Sequence, residues 1–506
     1  MKKRIPFILL SLLALSSCGN KPIEKAKKGN VLLDIIEIND LHGYVNEAAK
    51  NKEYDLANIE YYIEEKRNLE NNEVLLIANG DMFEGTAFSN LSMGLSTLNV
   101  LNEMNFDMMG IGNHEFSWGL DSILQYFDKD IDNGEANFPL INGNIYKDNK
   151  RYGEDNIDDN ILPYTIVKKG DLNIGIVSYI GDVASSISSS KLIDYKIEAS
   201  LDFFKTEVKK DCLKLKEDGA DFIVFNIHGG YSENILEYNI NKIVAELKDD
   251  KDNYLINAII NGHTHSKQQG FMKREKNNLP LVQGGSYSDS FGEIVLDINL
   301  DTMEIERASS SVIPITNIKK ENKDIKVQES IDIEYNKIED IVSEVYCENN
   351  SYISKEDIGM LFAKDLRIGT SADISILNTG GIRQALNKGT VTFSTIYDVY
   401  PFENHIICLK IKGKYINDWI LKESKYYYMD YDTTFIDDEI YNVSTIDYVY
   451  ESSYFKEVIL EYEYLSESFR KTPRDYIISD LKNRGNVPFN LNDPILVDVL
   501  PFGEFE

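Results

Sequence analysis

Gly112-Asn113-His114-Glu115-Phe116-Ser117-Trp118-Gly119 follows a short apolar run, Phe106-Asp107-Met108-Met109-Gly110-Ile111. The run predicts a buried strand. Glycines on both sides of the Asn-His pair let the backbone turn tightly at the strand's end and approach a ligand closely. Asn can give a metal an amide oxygen, and His can give a metal or a substrate a ring nitrogen. One such pair is usually a hydrogen-bonded loop corner. It gains weight from the other histidines. The chain has six, His42, His114, His228, His263, His265 and His405, and the first five each come just after an apolar run.

Working outward, the same pattern repeats. The β-branched run 31–38 predicts a strand that empties into Asn39-Asp40-Leu41-His42-Gly43, where Asp40 and His42 share one direction and can grip one cation. A predicted helix, 56–69, leads to a strand at 73–77 that ends in Ala78-Asn79-Gly80-Asp81. Beyond the predicted helix 93–104 comes the Asn113-His114 strand. Strands at 172–178, 221–227 and 254–260 follow, with a helix at 201–218 between the first two. They end respectively near Ser178, at His228-Gly229-Gly230 and at Asn261-Gly262-His263-Thr264-His265. Alternating strands and helices describe an α/β domain, in which successive strand ends line one crevice. Asp40, His42, Asp81, Asn113, His228, His263 and His265 then supply seven N/O ligands. One of them, the Asp81 carboxylate, can bridge. That is enough for two divalent ions, which about 3.5–4 Å apart can clamp an in-line phosphoryl displacement. His114 is left over to stabilise phosphoryl oxygens or to protonate a leaving alkoxide.

The length, 506 residues, implies two domains, and the formal charge of -31 argues against a nucleic-acid polymer as partner. It does not exclude an anionic substrate, because bound cations invert the local field. Residues 1–18 read as a signal peptide: Lys2, Lys3 and Arg4, then an apolar stretch from Ile5 to Leu15 too short to span a bilayer once folded. Leu15-Ser16-Ser17-Cys18-Gly19 resembles a bacterial lipobox, which implies cleavage before Cys18, lipidation there and an extracytoplasmic, membrane-anchored protein. Residues 19–30 would be a polar tether. Cys212, Cys347 and Cys408 suggest buried thiols rather than a disulfide framework or a zinc site.

The first domain is expected over 31–316 and a charged helical linker over 317–346. A second domain is expected over 347–506. Its sharpest stretches are Ile374 to Arg383, where a strand enters a glycine turn followed at once by Arg383, and Tyr400-Pro401-Phe402-Glu403-Asn404. Backbone N–H groups and a guanidinium make an anion pocket. Tyrosines cluster at 426–431 and again around Tyr448, Tyr450, Tyr454 and Phe455, where aromatic faces can hold a nucleobase.

The blocks Asn39-Asp40-Leu41-His42-Gly43, Asn79-Gly80-Asp81, Gly112-Asn113-His114-Glu115-Phe116, Ile227-His228-Gly229 and Gly262-His263-Thr264-His265 together resemble the five blocks of calcineurin-like metallophosphatases. Asn378-Thr379-Gly380-Gly381-Ile382-Arg383 and Pro401-Phe402-Glu403-Asn404 resemble the C-terminal domain of 5′-nucleotidases. The resemblance implies a four-layer αββα domain, a helical linker and a smaller α/β substrate-binding domain. It implies one ion, zinc or manganese, on Asp40, His42, Asp81 and His265, and another on Asp81, Asn113, His228 and His263. His114 would be the catalytic histidine. Asn378, Gly380, Gly381 and Arg383 would meet the substrate, with Tyr454 or Phe455 stacking on the base. The implied activity is phosphate release from nucleoside monophosphates. UDP-sugar diphosphatase and 2′,3′-cyclic-nucleotide phosphodiesterase are alternatives on the same fold, and a non-catalytic binding lipoprotein is the rival outside enzymology.

Three departures stand out. Ser117 occupies the place where the family has an aspartate hydrogen-bonded to the catalytic histidine, so a lowered His114 pKa and a slower enzyme are expected. The Gly-Gly-Asp-Gly-aromatic loop of the nucleoside pocket is missing, and Lys355 stands near where the family often has an arginine.

Overall fold

The computed structural model describes residues 22–499, apart from 154–159, 231–235, 424, 453–454, 456–458, 460–461, 469–470 and 485–493. Cys18 and Tyr454 therefore lie outside the described residues. Among the described residues, no helix is long and apolar enough to cross a membrane.

The first strand, Asn30–Ile38, sets the layering. Its side chains alternate between faces. Val31, Leu33 and Ile35 enter the core between two sheets, while Ile36 and Ile38 face a core shared with helices. Burial on both faces explains why the run is mostly apolar, with Asp34 and Glu37 as its buried carboxylates. One six-stranded sheet runs in the order Glu304–Pro314, Ser290–Asn299, Asn30–Ile38, Asn72–Asn79, Met108–Gly110, Leu140–Ile141. The other runs Lys267–Met272, Leu279–Gly284, Ala258–Ile260, Phe222–His228, Leu172–Ile180, Tyr164–Lys169. Helices Leu56–Arg67 and Leu95–Glu103 cover the first sheet, and Leu201–Glu217 with Leu236–Ala245 covers the second. The domain is the four-layer αββα stack.

The connector is not one helix. It forms Ile325–Asn336 and a single turn, Glu339–Val342, before strand Val345–Asn349 pairs with Gly389–Thr392. Asp324 caps the longer helix by accepting the Val327 N–H, a start signal overlooked in the charged run. That helix is also docked rather than free. Asp324 N donates to Ala57 O at 2.9 Å, Asn58 Nδ2 to Asn322 O at 2.8 Å, and Val327 and Ile331 enter the first domain's core.

The second domain is a five-stranded sheet in the order Tyr427–Tyr431, Ile374–Asn378, Ile440–Ile446, Ile406–Lys412, Tyr462–Ser468, backed by helices Lys355–Thr370 and Pro473–Arg484. It reaches across to the first domain. Asn90 Nδ2 donates to Pro401 O at 2.8 Å, and Ser190 gives Glu451 Oε2 both its N–H, at 3.1 Å, and its hydroxyl, at 3.0 Å.

Candidate active site

The two sheets of the first domain pack tightly at Gly110, where a Cβ would lie 2.7 Å from Asn226 Nδ2 and 2.8 Å from Ser178 Oγ. Any larger residue would push the sheets apart and with them the strand ends. Asp40 and His42 follow Asn30–Ile38, Asp81 follows Asn72–Asn79, and Asn113 with His114 follows Met108–Gly110. From the facing sheet, His228 closes Phe222–His228, and His263 and His265 follow Ala258–Ile260.

These side chains converge. Asp40, His42 and His265 have ligand atoms within 4.8 Å of one another, as do His42, Asp81 and His114, and Asp81, His228 and His263. Asp81 Oδ2 lies 3.9 Å from His42 Nε2 and 3.1 Å from His228 Nε2, while Oδ1 accepts the His114 N–H at 2.8 Å. Asp40 Oδ1 lies 3.3 Å from His265 Nε2, and Oδ2 accepts the His263 N–H at 2.9 Å. Each carboxylate thus engages the backbone with one oxygen and turns the other inward. Asn113 Oδ1 is 2.9 Å from His263 Nδ1.

The imidazoles are aimed by bonds behind them. His42 Nδ1 contacts Glu84 O and His228 Nδ1 contacts Asn79 O, each at 2.8 Å. A proton on Nδ1 satisfies each carbonyl and points Nε2 at Asp81, where it can bind an ion once deprotonated. Among the described residues, buried Asp40 Oδ1 has no hydrogen-bond partner, His228 Nε2 faces the Asp81 carboxylate at 3.1 Å, and His42 Nε2 faces His265 Nε2 at 3.1 Å. Orphaned inward-facing acceptors are costly unless a cation satisfies them, and a mixed Asp, His and Asn set suits divalent ions. The residues present therefore fit a pair of metal ions.

The backbone carries strain for this geometry. Asp40, His42, Asp81, His263 and His265 have φ of 49, 51, 53, 73 and 54°. For residues other than glycine this costs about 1–3 kcal/mol each, and such strain gathers at functional sites. Protonation is also perturbed. Burial opposes charge on His228, but Asp81 outweighs it and raises the ring to about 10. Burial, with His228 beside it, lowers His263 to about 4. An ion held here would have to expel a proton from His228, so ion affinity is expected to weaken as the pH falls.

Glu115 ties two of the turns together. It is fully buried and accepts the N–H groups of Asp81 at 2.8 Å, Met82 at 2.9 Å and Gly112 at 2.7 Å. Gly112 must lack a side chain, because a Cβ would lie 2.7 Å from Asp81 N, 2.8 Å from His228 Nε2 and against the Asp81 carboxylate. Gly112→Ala is expected to displace both side chains and weaken ion binding by roughly 10–100-fold, as loss of a metal ligand's supporting contact does. Calorimetric titration of the stripped protein with Mn²⁺ checks this, and wild-type affinity in the variant would refute it.

His114 does not lack a carboxylate. Its Nδ1 lies 2.6 Å from Glu84 Oε2, and the Ser117 hydroxyl donates to the same oxygen. Burial works against a charged ring, yet Asp81 and Glu84 outweigh it and raise the His114 pKa. The expectation of a lowered pKa, drawn from Ser117 alone, is corrected. The missing partner sits on another loop, three residues past Asp81. Across from it, Arg383 Nη2 of the second domain lies 3.5 Å from His114 Nε2.

A cleft of about 320 Å³ opens from this point between the domains. Its lining includes Asp81, Asn113, His114, His263 and His265 from the cluster, residues 186–188 and Lys191 from the same domain, and Asn378, Gly380 and Arg383 from the second domain. Gly381 is not on the surface of the cleft. It packs beneath Tyr400, whose Cε2 would lie 3.0 Å from a Cβ there. Phe455 is likewise corrected. It is buried in the second domain's core beside Tyr450 and Tyr462, at ring distances of 5.8 and 6.2 Å. The aromatic rings among its lining residues are Phe116, Phe402 and Tyr448. Tyr448 belongs to the tyrosine cluster seen in the sequence, but which member faces the cleft depends on the turn after strand Ile440–Ile446. Phe402 packs beside His114, at 6.0 Å between ring centres, and under Arg383, whose Cζ is 5.0 Å from the ring centre. Arg474 holds this stretch by donating to Tyr400 O at 2.9 Å. Lys355 is exposed at the start of its helix. Tyr287, also unforeseen, packs its ring 4.9 Å from that of His265 and 5.4 Å from that of His42.

An αββα domain with a convergent Asp, His and Asn cluster, covered by a second α/β domain, defines a metal-dependent hydrolase. The comparisons agree. The calcineurin-like phosphoesterase family matches residues 33–267, and the 5′-nucleotidase C-terminal domain matches residues 337–457. The chain thus carries a calcineurin-like phosphoesterase domain followed by a 5′-nucleotidase C-terminal domain. The endonuclease YhcR of Bacillus subtilis is 28% identical over 437 residues, covering 80% of this chain. The chain spans only about a third of that longer protein, 34% of its length. The 5′-nucleotidase of Vibrio parahaemolyticus is 24% identical over 459 residues, 81% of this chain and 78% of its own. Among solved structures, the 5′-nucleotidase precursor of Thermus thermophilus superposes with a TM-score of 0.71 at 17% identity, covering 92% of this chain and all of its own. The 5′-nucleotidase of Candida albicans gives 0.69 at 15%, over 89% and 98%.

Proposed function

We propose that the chain is a two-metal 5′-nucleotidase that releases phosphate from nucleoside monophosphates. The observation that carries this is the meeting of Arg383 with His114 over the Asp-His cluster, at the head of a cleft that has an aromatic ring on its wall. Asp40, His42, Asp81 and His265 would hold one ion, and Asp81, Asn113, His228 and His263 the other. The pair would supply positive charge against the phosphate and a water acidic enough to attack at neutral pH. Arg383 would bind non-bridging oxygens through its planar fork. His114 Nε2 would face the phosphoryl group, either stabilising its oxygens or handing a proton to the departing 5′ oxygen. Phe402 would exclude water beside both. Asn378 would bind the ribose, and Tyr448 would stack on the base.

The relatives favour one second reading. YhcR is named an endonuclease, and the Bacillus subtilis protein YfkN, 26% identical over 426 residues, a trifunctional nucleotide phosphoesterase. On that reading the same centre cleaves phosphodiesters. The test is product analysis with the purified Mn²⁺- or Zn²⁺-loaded protein on AMP, UDP-glucose, a 2′,3′-cyclic nucleotide and a short single-stranded oligonucleotide. Phosphate from AMP at the highest kcat/KM supports the nucleotidase. A higher kcat/KM on any diester transfers the assignment to that substrate. Tyr448→Ala is expected to raise KM for AMP roughly tenfold, the loss of one base–ring stack, while KM for ribose 5-phosphate stays within about twofold. Equal changes for both would remove Tyr448 from the base site.

The lipobox-like Leu15 to Cys18 supports placing the enzyme, lipid-anchored, outside the cytoplasmic membrane. Release of Cys18→Ala protein from the membrane fraction tests the anchor, and its retention would overturn it.

A further inference from the structure

Glu84 serves both halves of the site, and nothing in the family resemblance points to it. It is buried, at 3% exposure, in the loop that follows Asp81. Its backbone carbonyl meets His42 Nδ1 at 2.8 Å, and its side-chain Oε2 meets His114 Nδ1 at 2.6 Å. The Ser117 hydroxyl donates to that same Oε2. The His114 ring is also confined edge-on by His42, 4.7 Å between ring centres, and on another side by Phe402 at 6.0 Å.

We propose that Glu84 is the positioning residue of His114, with the Ser117 hydroxyl bracing its carboxylate, and that this pair does the work the resemblance assigns to an aspartate at position 117. The proposal rests on the role given to His114 above. A carboxylate on Nδ1 keeps the proton on that nitrogen and turns Nε2 toward Arg383 and the phosphate, as orienting carboxylates do for other catalytic histidines. The exchange of position is sterically coherent. Ser117 Oγ and His114 Nδ1 meet at one oxygen of Glu84, so a carboxylate on residue 117, one atom longer than serine, reaches the point that Oε2 fills. The two roles of Glu84 also separate cleanly. Its side chain orients His114, whereas its backbone, which no substitution removes, orients the predicted ligand His42.

The test is a cycle of variants: Glu84→Ala, His114→Ala, the double variant, and Glu84→Ala combined with Ser117→Asp. Each is assayed with AMP and analysed for bound metal. Glu84→Ala is expected to keep the wild-type metal content and a KM within about twofold, while kcat falls roughly 10–100-fold, the usual loss on removing an orienting partner. On the His114→Ala background, the same change is expected to cost less than about twofold, because residues acting as a unit are not additive. Adding Ser117→Asp to Glu84→Ala is expected to recover kcat about tenfold or more. Additive losses, or no recovery with Ser117→Asp, would overturn the proposal. Glu84→Gln, of the same size, repeats the cycle if the alanine variant fails to fold. An unimpaired His114→Ala would instead defeat the role of His114. A crippled His114→Ala beside an unimpaired Glu84→Ala would defeat only the role of Glu84.

Discussion

Asp81→Asn is expected to lower kcat/KM by more than about a thousandfold, since a hydrolase of this type depends on its ions for both the nucleophile and charge neutralisation. It is also expected to leave fewer ions bound per chain. Asp81 Oδ2 is the one carboxylate oxygen facing both His42 and His228, at 3.9 and 3.1 Å. An amide there has no charge to share between two cations. The fold is expected to persist. Asparagine tolerates the φ of 53° at this position and can still accept the His114 N–H through its amide oxygen. Elemental analysis beside steady-state kinetics checks both parts. Two ions and near-normal turnover in the variant would remove Asp81 from the bridging position.

Arg383→Ala should separate substrate binding from metal binding. Arg383 comes from the second domain yet lies 3.5 Å from His114 Nε2 and touches none of the seven predicted ligands through a hydrogen bond among the described residues. Its loss is expected to lower kcat/KM for AMP about 100-fold or more, as removal of a single positioned donor to a developing anion does. Inhibition by inorganic phosphate should weaken alongside, with metal content unchanged. Its backbone N–H still donates to Val399 O at 2.8 Å, so the local turn survives. Arg383→Lys restores charge but not the planar fork, and is expected to regain less than a tenth of the lost activity. Wild-type kcat/KM in Arg383→Ala would place the phosphate elsewhere in the cleft.

The first of these predictions was open to sequence reasoning and the second only partly. Strand ends are written locally: an apolar run, a candidate ligand at its end, and Gly or Asn beside that ligand. Asp40, Asp81, Asn113, His228 and His263 each follow such a run, and parallel strands carry their carboxyl ends to one edge of a sheet. That two sheets bring those edges together is a packing fact, enforced at Gly110, where the sheets leave no room for a side chain. The layer order was supplied by family resemblance, because alternation of elements alone does not say which sheet a strand joins.

What the sequence by itself determined was the α/β class, the resemblance to two-domain 5′-nucleotidases and a set of candidate residues for two ions. These depend on residue type and on distance along the chain. What only the tertiary structure decided were contacts between residues far apart in the chain. The carboxylate behind His114 is Glu84, thirty residues earlier. The member of the second tyrosine cluster that lines the cleft is Tyr448 rather than Phe455, seven residues away and buried. The linker helix is docked on Ala57 and Asn58. In each case the deciding quantity is where a side chain points once layers have packed. A local pattern fixes that direction within one strand or helix but not across a turn, where a rotation of one residue exchanges core for cleft.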